Sequence, residues 1–161
     1  AERGVGDQPE DINVDELIHR LYNEYHPEAQ AKGLQLNLQL ETNLGTIHSS
    51  RLYLQELLQN LITNAIKYTR KGSITIDASV TKSHVKIAII DTGIGISKAD
   101  QKRVFDKFYR AEDYRTRETN GTGLGLYVAM KLAKKLGSRL DMTSRLNHGS
   151  TFSISLPITR D

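Results

Sequence analysis

The spacing of apolar residues changes several times along the chain, and each change marks an element. Residues 1 to 13 mix glycine, proline and acids without a period and read as a linker. From Val14 to Lys32, Leu17, Ile18, Leu21 and Tyr25 recur at helical spacing, and Pro27 is expected to bend or interrupt that helix. "LQLNLQL", Leu34 to Leu40, alternates as a half-buried strand does. A longer helix runs from Ser50 to Thr69, with Ser49 or Ser50 as its cap and Leu54, Leu57, Leu58, Leu61, Ile62, Ala65 and Ile66 as its buried face. "SITIDASV" and "HVKIAII" flank a polar turn at Lys82 and Ser83 and predict a hairpin. Ser97 to Asn120 is charged and irregular, apart from "KADQKRVFDKF", which suits a helix. A polar connection of that length is uncommon unless it serves as a lid or binding loop, so a lid is expected over about 97–120. A helix over Thr122 to Leu136, a strand near Arg139 to Thr143 and a last strand, "STFSISLP", complete the chain. This order predicts an α/β two-layer sandwich over 14–161, with one mixed, mainly antiparallel sheet and helices on one face.

Composition narrows the class. A chain of 161 residues with 38% hydrophobic and 25% charged content buries one core. No apolar run approaches the roughly 18 to 20 residues that span a bilayer, and "AERGVGDQPED" lacks a signal peptide's apolar centre, so a soluble domain without membrane contact is expected. The absence of cysteine excludes disulfides and thiolate metal sites and suits a cytoplasmic location, even if the parent protein is anchored elsewhere. A formal charge of +3, with no arginine-rich or aromatic-interleaved stripe, argues against nucleic acid. Any anion site is therefore local.

Three stretches carry candidate chemistry. On the second helix Glu56, Asn60, Asn64 and Lys67 or Tyr68 share a polar face. A glutamate and lysine stripe would be an ordinary solvated face. Asparagine is a mediocre helix former without charge, and two of them one turn apart suit oxygen donation to a hard cation. "GTGLGL" opens a helix with free backbone N–H groups, where phosphate is favoured. Its G-x-G-x-G spacing is neither the dinucleotide fingerprint nor a P-loop, and a glycine hinge is its other reading. In "DTGIGIS" an acid ends a hydrophobic strand before two glycines, which a tight turn alone would also explain.

Taken in order, these stretches resemble the ATP-binding catalytic domain of sensor histidine kinases, within the wider superfamily of gyrase-type ATPases, heat-shock chaperones and mismatch-repair ATPases. "NLITNAIKYT" is similar to the family's asparagine box, "DTGIGI" to its first glycine box, "VFDKFYR" to its phenylalanine box, "GTGLGL" to its second glycine box and "HGSTFSISLP" to its closing strand. The resemblance covers nearly all of Val14 to Pro157. It implies a Bergerat-type ATP-binding fold, with ATP and Mg²⁺ as ligands. By the same resemblance Asp91 accepts from the exocyclic amine of adenine, and Gly93, Gly95 and Ile96 pass close to the ring. Thr151 supports the same edge through its hydroxyl or a water. Asn64 holds the metal with help from Asn60, Lys67 reaches a phosphate, and Tyr68 lies near the sugar or base. Gly121, Thr122, Gly123, Leu124, Gly125 and Leu126 cradle phosphate. Phe108 lines the site, while Lys107 and Arg110 flank the phenylalanine box, where a cation would steady the γ-phosphate. Many relatives carry arginine in place of Lys107.

Hydrolysing members of the superfamily place a glutamate one turn before the metal asparagine. This chain has Asn60 there, and an amide is no general base. The resemblance therefore implies transfer of the γ-phosphoryl group to a histidine on a separate dimerisation hairpin, with a response regulator downstream. None of His19, His26, His48, His84 and His148 is followed by an acid, as the family's acceptor histidine is. Residues 1 to 13 then read as a remnant of that hairpin, and the chain alone is expected to be monomeric. A nucleotide-responsive binding module, or a gyrase-like ATPase, is the alternative.

Overall fold

The computed structural model describes residues 8–106 and 125–159. A parallel pair joins Gln35–Leu40 (β2) to Ser73–Thr81 (β4), and antiparallel pairs add His84–Asp91 (β5), Gly149–Pro157 (β7) and Asp141–Arg145 (β6), giving the order β2-β4-β5-β7-β6. Ile74, Ile76 and Ala78 of β4 stand opposite Asp91, Ile89 and Ile87 of β5, which in turn face Ser150, Phe152 and Ile154 of β7. All of these are buried, because helices cover that face. Thr75, Asp77, Lys86 and Ser155 alternate with them on the wetter face. Period-two alternation thus assembles the expected two-layer sandwich.

The helices start where capping side chains allow. Asn13 accepts from the Glu16 backbone N–H at 2.9 Å to open Val14–Ala31 (α1), and Ser50 accepts from Tyr53 N–H at 3.2 Å to open Arg51–Tyr68 (α2). Every predicted apolar residue of α2 is buried against the sheet. Lys98–Gln101 (α3) is one short turn capped by Ser97, and Gly125–Lys135 (α4) packs beside α2.

Three expectations are corrected. Residues 9–13 are not linker: Pro9–Asn13 (β1) pairs antiparallel with Thr46–Ser50 (β3), and Ile12 and Ile47, opposite each other, are fully buried. Pro27 does not break α1, which continues to Ala31 with the exposed ring in its last turns. The helix read from "KADQKRVFDKF" is limited to Lys98–Gln101, and turns carry the chain to Asp106. Phe105 folds back on the core edge-on to Phe152, ring centroids 6.4 Å apart. Most of the proposed lid, including Lys107, Phe108 and Arg110, lies outside the described residues, as do Gly121, Thr122, Gly123 and Leu124 of the second glycine cluster.

Candidate functional site

Asp91 ends β5 on the face that the helices cover, and only 9% of it is exposed. Its Oδ1 accepts from Gly93 N–H at 2.8 Å and from Ser150 N–H at 3.2 Å, while Oδ2 has no donor among the described residues. Burial pushes the carboxyl above the usual carboxylate range, and the two backbone N–H groups offset only part of that rise. Backbone closes tightly around it. A Cβ on Gly93 would lie 2.5 Å from Tyr68 O, 2.8 Å from Thr69 Oγ1 and 3.0 Å from Asp91 Oδ1. Gly149, at φ +104°, has Asp91 O only 2.0 Å from the place of a Cβ. Both glycines permit approaches that no other residue could make.

The loop after Asp91 is fastened at both ends. Ile94 N–H donates to Tyr68 O at 3.3 Å, at the end of α2, and Ile94 O accepts from Asn147 N–H at 2.6 Å. Gly95 runs against the Arg145 carbonyl, and half-buried Ile96 donates its N–H to Ser144 Oγ at 2.8 Å. Gln101 Nε2 bridges Ile96 O and Ser144 O at 2.7 and 3.0 Å.

Helix α2 brings its polar stripe to the same end of the sheet. Asn60 and Asn64 stand one turn apart and half-buried, and among the described residues neither side-chain amide has a hydrogen-bond partner. Thr63, between them, bonds back to Gln59 O at 2.9 Å. Lys67 and Tyr68 are half-buried in the last turn, the Lys67 ammonium 5.8 Å from the Tyr68 ring centre. Lys32 reaches across from the end of α1 and donates to Ile66 O at 2.5 Å and Lys67 O at 2.9 Å, satisfying carbonyls that a helix end leaves open. Burial and then the charge of Arg70 push the Lys32 amine below its ordinary value.

Among the described residues no three His, Cys, Asp or Glu side chains cluster as a metal site. A divalent cation here would depend on amide, water and phosphate oxygens. The two unpartnered asparagine amides fit magnesium, which keeps several waters and takes few protein ligands.

The geometry gathers Asn60, Asn64, Lys67, Tyr68, Asp91, Gly93, Gly95 and Ile96 around α2 and the end of β5. Gly125 and Leu126 open α4, where a Cβ on Gly125 would meet nothing within 4 Å. Glu56, a turn before Asn60, is exposed. Thr151 is misplaced in the sequence reading: it pairs with Ile90 and Thr143, on the opposite face from Asp91. Ser150 takes its place, since it faces Asp91 in register and is 7% exposed, with Oγ 2.7 Å from Ser144 Oγ. The signal was present in "GSTFSISLP", where Phe152, Ile154 and Leu156 mark the buried face and Ser150 falls in phase with them. Thr69, fully buried beside Gly93, was also missed.

Comparison with known proteins identifies the fold and the family. Full-length ShkA, solved in complex with AMPPNP, superposes with a TM-score of 0.83 at 23% identity over 99% of this chain and 33% of that one, and so shares the fold. The autoinducer 2 sensor kinase/phosphatase LuxQ of Vibrio cholerae is 33% identical over 94% of this chain and 18% of its own length. The signal transduction histidine-protein kinase BarA of Escherichia coli K12 is 37% identical over 86% of this chain and 15% of its own length. This chain therefore spans less than a fifth of these curated relatives. Residues 49–160, from the cap of α2 past the end of β7, match the family model described as histidine kinase-, DNA gyrase B-, and HSP90-like ATPase, and the chain belongs to that family, homologous to the catalytic domains of sensor histidine kinases.

Proposed function

We propose that the chain binds Mg-ATP and serves as the catalytic domain of a two-component sensor histidine kinase, which transfers the γ-phosphoryl group to a histidine of a separate dimerisation domain. The observation that supports this best is Asp91. A buried carboxylate whose Oδ1 is occupied by backbone and whose Oδ2 has no donor among the described residues is an acceptor waiting for one. The exocyclic amine of adenine meets that requirement, and the carbonyl of guanine would be repelled. Gly93 and Gly149 let the backbone close around the base, and Ser150 stands beside the same edge.

Lys67, on the last turn of α2, places a cation beside the phosphates, and Asn60 and Asn64 offer amide oxygens for the Mg²⁺ that accompanies ATP. The metal supplies charge neutralisation of the phosphate oxygens. Lys32 holds the carbonyls of the turn that bears Lys67. Lys107, Arg110 and the glycines from Gly121 to Gly125 complete this reading from the sequence, as cation and backbone N–H donors. Asn60, one turn before Asn64, is an amide and no general base, so in this reading the acceptor comes from another domain. A response regulator would receive the phosphoryl group next. A cytoplasmic setting is part of this reading, by resemblance to sensor histidine kinases. No helix among the described residues is long and apolar enough to cross a membrane.

The test is twofold. Calorimetry should show Mg-dependent binding of ADP and ATP. With γ-labelled ATP and a separately supplied dimerisation domain, acid-labile phosphate should appear on that domain and only traces on the chain alone. Failure to bind nucleotide would sink the proposal. Steady release of phosphate without an acceptor would favour the gyrase-like reading.

A further inference from the structure

The two long helices end differently. Helix α1 closes itself: Gly33, at φ +82°, turns the chain so that Gly33 N–H donates to Gln30 O and Leu34 N–H to Ala29 O, both at 2.9 Å, and two carbonyls that a helix end leaves open are satisfied. Helix α2 has no such turn. Thr69 is already extended at φ −112° and ψ 117°, and no glycine follows until Gly72. Its last three carbonyls are met from outside instead. Lys32 Nζ donates to Ile66 O and Lys67 O from 34 and 35 residues away in sequence, and Ile94 N–H donates to Tyr68 O at 3.3 Å. The same two segments hold the connection to β4, since Gln35 N–H donates to Gly72 O and Thr92 N–H to Ser73 O, both at 3.1 Å. The turn that carries Lys67 and Tyr68 is thus slung between the α1–β2 joint and the loop after β5. Of these outside donors only Lys32 is a side chain, and only Lys32 brings the positive charge that the C-terminal end of a helix dipole favours.

We propose that Lys32 is a positioning residue for phosphate binding: by capping α2 from the end of α1, its ammonium keeps the last turn wound and so holds Lys67 in place for the phosphates. This role presupposes the Mg-ATP binding proposed above and adds to it a residue that touches no nucleotide. The two outside donors divide the labour. Ile94 N–H belongs to the loop around Asp91 and still holds Tyr68 O when Lys32 is changed, so the base end of the site keeps its shape. Ile66 O and Lys67 O lose the donor that crosses to them, and the turn bearing Lys67 frays. A site whose turn is in place only part of the time binds more weakly by that fraction, and a cation at a helix C-terminus shifts such a balance roughly two- to fivefold.

The test compares the chain with Lys32→Met, which keeps the length of the stem and removes the ammonium, with Lys67→Met and with the double variant. Each is titrated with Mg-ADP and with adenosine, which carries the base and sugar without phosphate. Lys32→Met should weaken Mg-ADP about threefold and leave adenosine within about 1.5-fold. Lys67→Met should weaken Mg-ADP about tenfold and the double variant no further, whereas independent contributions would multiply to about thirtyfold. Without nucleotide, amide exchange from Lys67 to Arg70 should quicken in Lys32→Met while that from Leu57 to Ile62 stays as it was. An equal loss on adenosine and Mg-ADP, or a Lys32→Met chain that no longer folds, would make Lys32 a structural residue and overturn the proposal. So would unaltered Mg-ADP affinity in Lys32→Met or in Lys67→Met, a thirtyfold loss in the double variant, or unchanged exchange in the last turn of α2. If the unchanged chain binds no Mg-ADP at all, the ATP-binding function falls and this role with it; a chain that binds but shows no difference between the two ligands in Lys32→Met tells against Lys32 alone.

Discussion

Asp91 is held by two backbone N–H groups in a place that excludes even one extra methyl group, whereas the side chains of Asn60 and Asn64 have no hydrogen-bond partner among the described residues. The end of β5 is built from main chain: Gly93, Gly149, Ser150 N–H and the Tyr68 carbonyl set its shape. The polar stripe of α2 is built from half-buried side chains that can turn. In the proposed function the first region meets a rigid, neutral ring, and the second meets phosphates whose charge changes during transfer. Preorganised backbone suits the one and adaptable amides suit the other.

If that division holds, the largest effect belongs to Gly93→Ala. The added methyl would press on Tyr68 O, Thr69 Oγ1 and Asp91 Oδ1 at once. Overpacking of this kind should lower the unfolding free energy in urea by about 2–3 kcal/mol and remove nucleotide binding. Near-normal stability would mean that the loop yields and is less rigid than the comparison requires.

Asp91→Asn sharpens the contrast by separating stability from binding. Gly93 N–H and Ser150 N–H require an acceptor at Oδ1, so the new amide must present its NH₂ where Oδ2 stood, donor against the donor of adenine. ADP affinity should fall by about 1–3 kcal/mol. Stability should move the other way, for a reason that fixes its pH dependence. Burial raises the Asp91 carboxyl above its ordinary value of 3.8, so between that value and the raised one the native chain holds a proton that the unfolded chain has lost. Its contribution is fully present below pH 3.8 and is lost as pH rises through the folded value. Asp91→Asn has no such loss. Urea titrations across acidic pH should show its stability relative to the unchanged chain rising through that window and then levelling. A constant difference would contradict the burial argument.

Asn64→Ala examines the adaptable region. ADP affinity should fall about tenfold with Mg²⁺ present and little in EDTA, while stability changes by less than about 0.5 kcal/mol, as for a side chain with no partner to lose. A marked loss of stability would show that the amide is structural. The smallest effect comes from neighbours on opposite faces of β7: Ser150→Ala should weaken ADP binding about threefold, a modest hydrogen-bond loss, and Thr151→Val should leave it unchanged. The reverse order would refute the register assigned to β7.

Helical spacing in "LYLQELLQNLITNAIKYT" predicted both the buried face of α2 and the stripe bearing Asn60 and Asn64, because side-chain direction in a helix follows from its own geometry. The hairpin from Ser73 to Asp91 was legible for a similar local reason, and the ordered motifs pointed to the family. Ser150 was legible too but was overlooked: alternation in the last strand carried the information, while a motif pattern pointed to its neighbour.

By its own periodicities and motif order the chain determined its main helices, its hairpin, the two-layer class and the family to which it belongs. Tertiary structure alone decided the rest. Pro9–Asn13 shows no period worth reading, and it becomes a strand because Thr46–Ser50 pairs with it and a core lies ready for Ile12. Thr69 is only a polar residue at a helix end until the Gly93 loop covers it and leaves its hydroxyl without a partner among the described residues. The difference is physical: local dihedral geometry is encoded in neighbouring residues, whereas pairing, burial and the fate of each polar group depend on partners that only folding brings together.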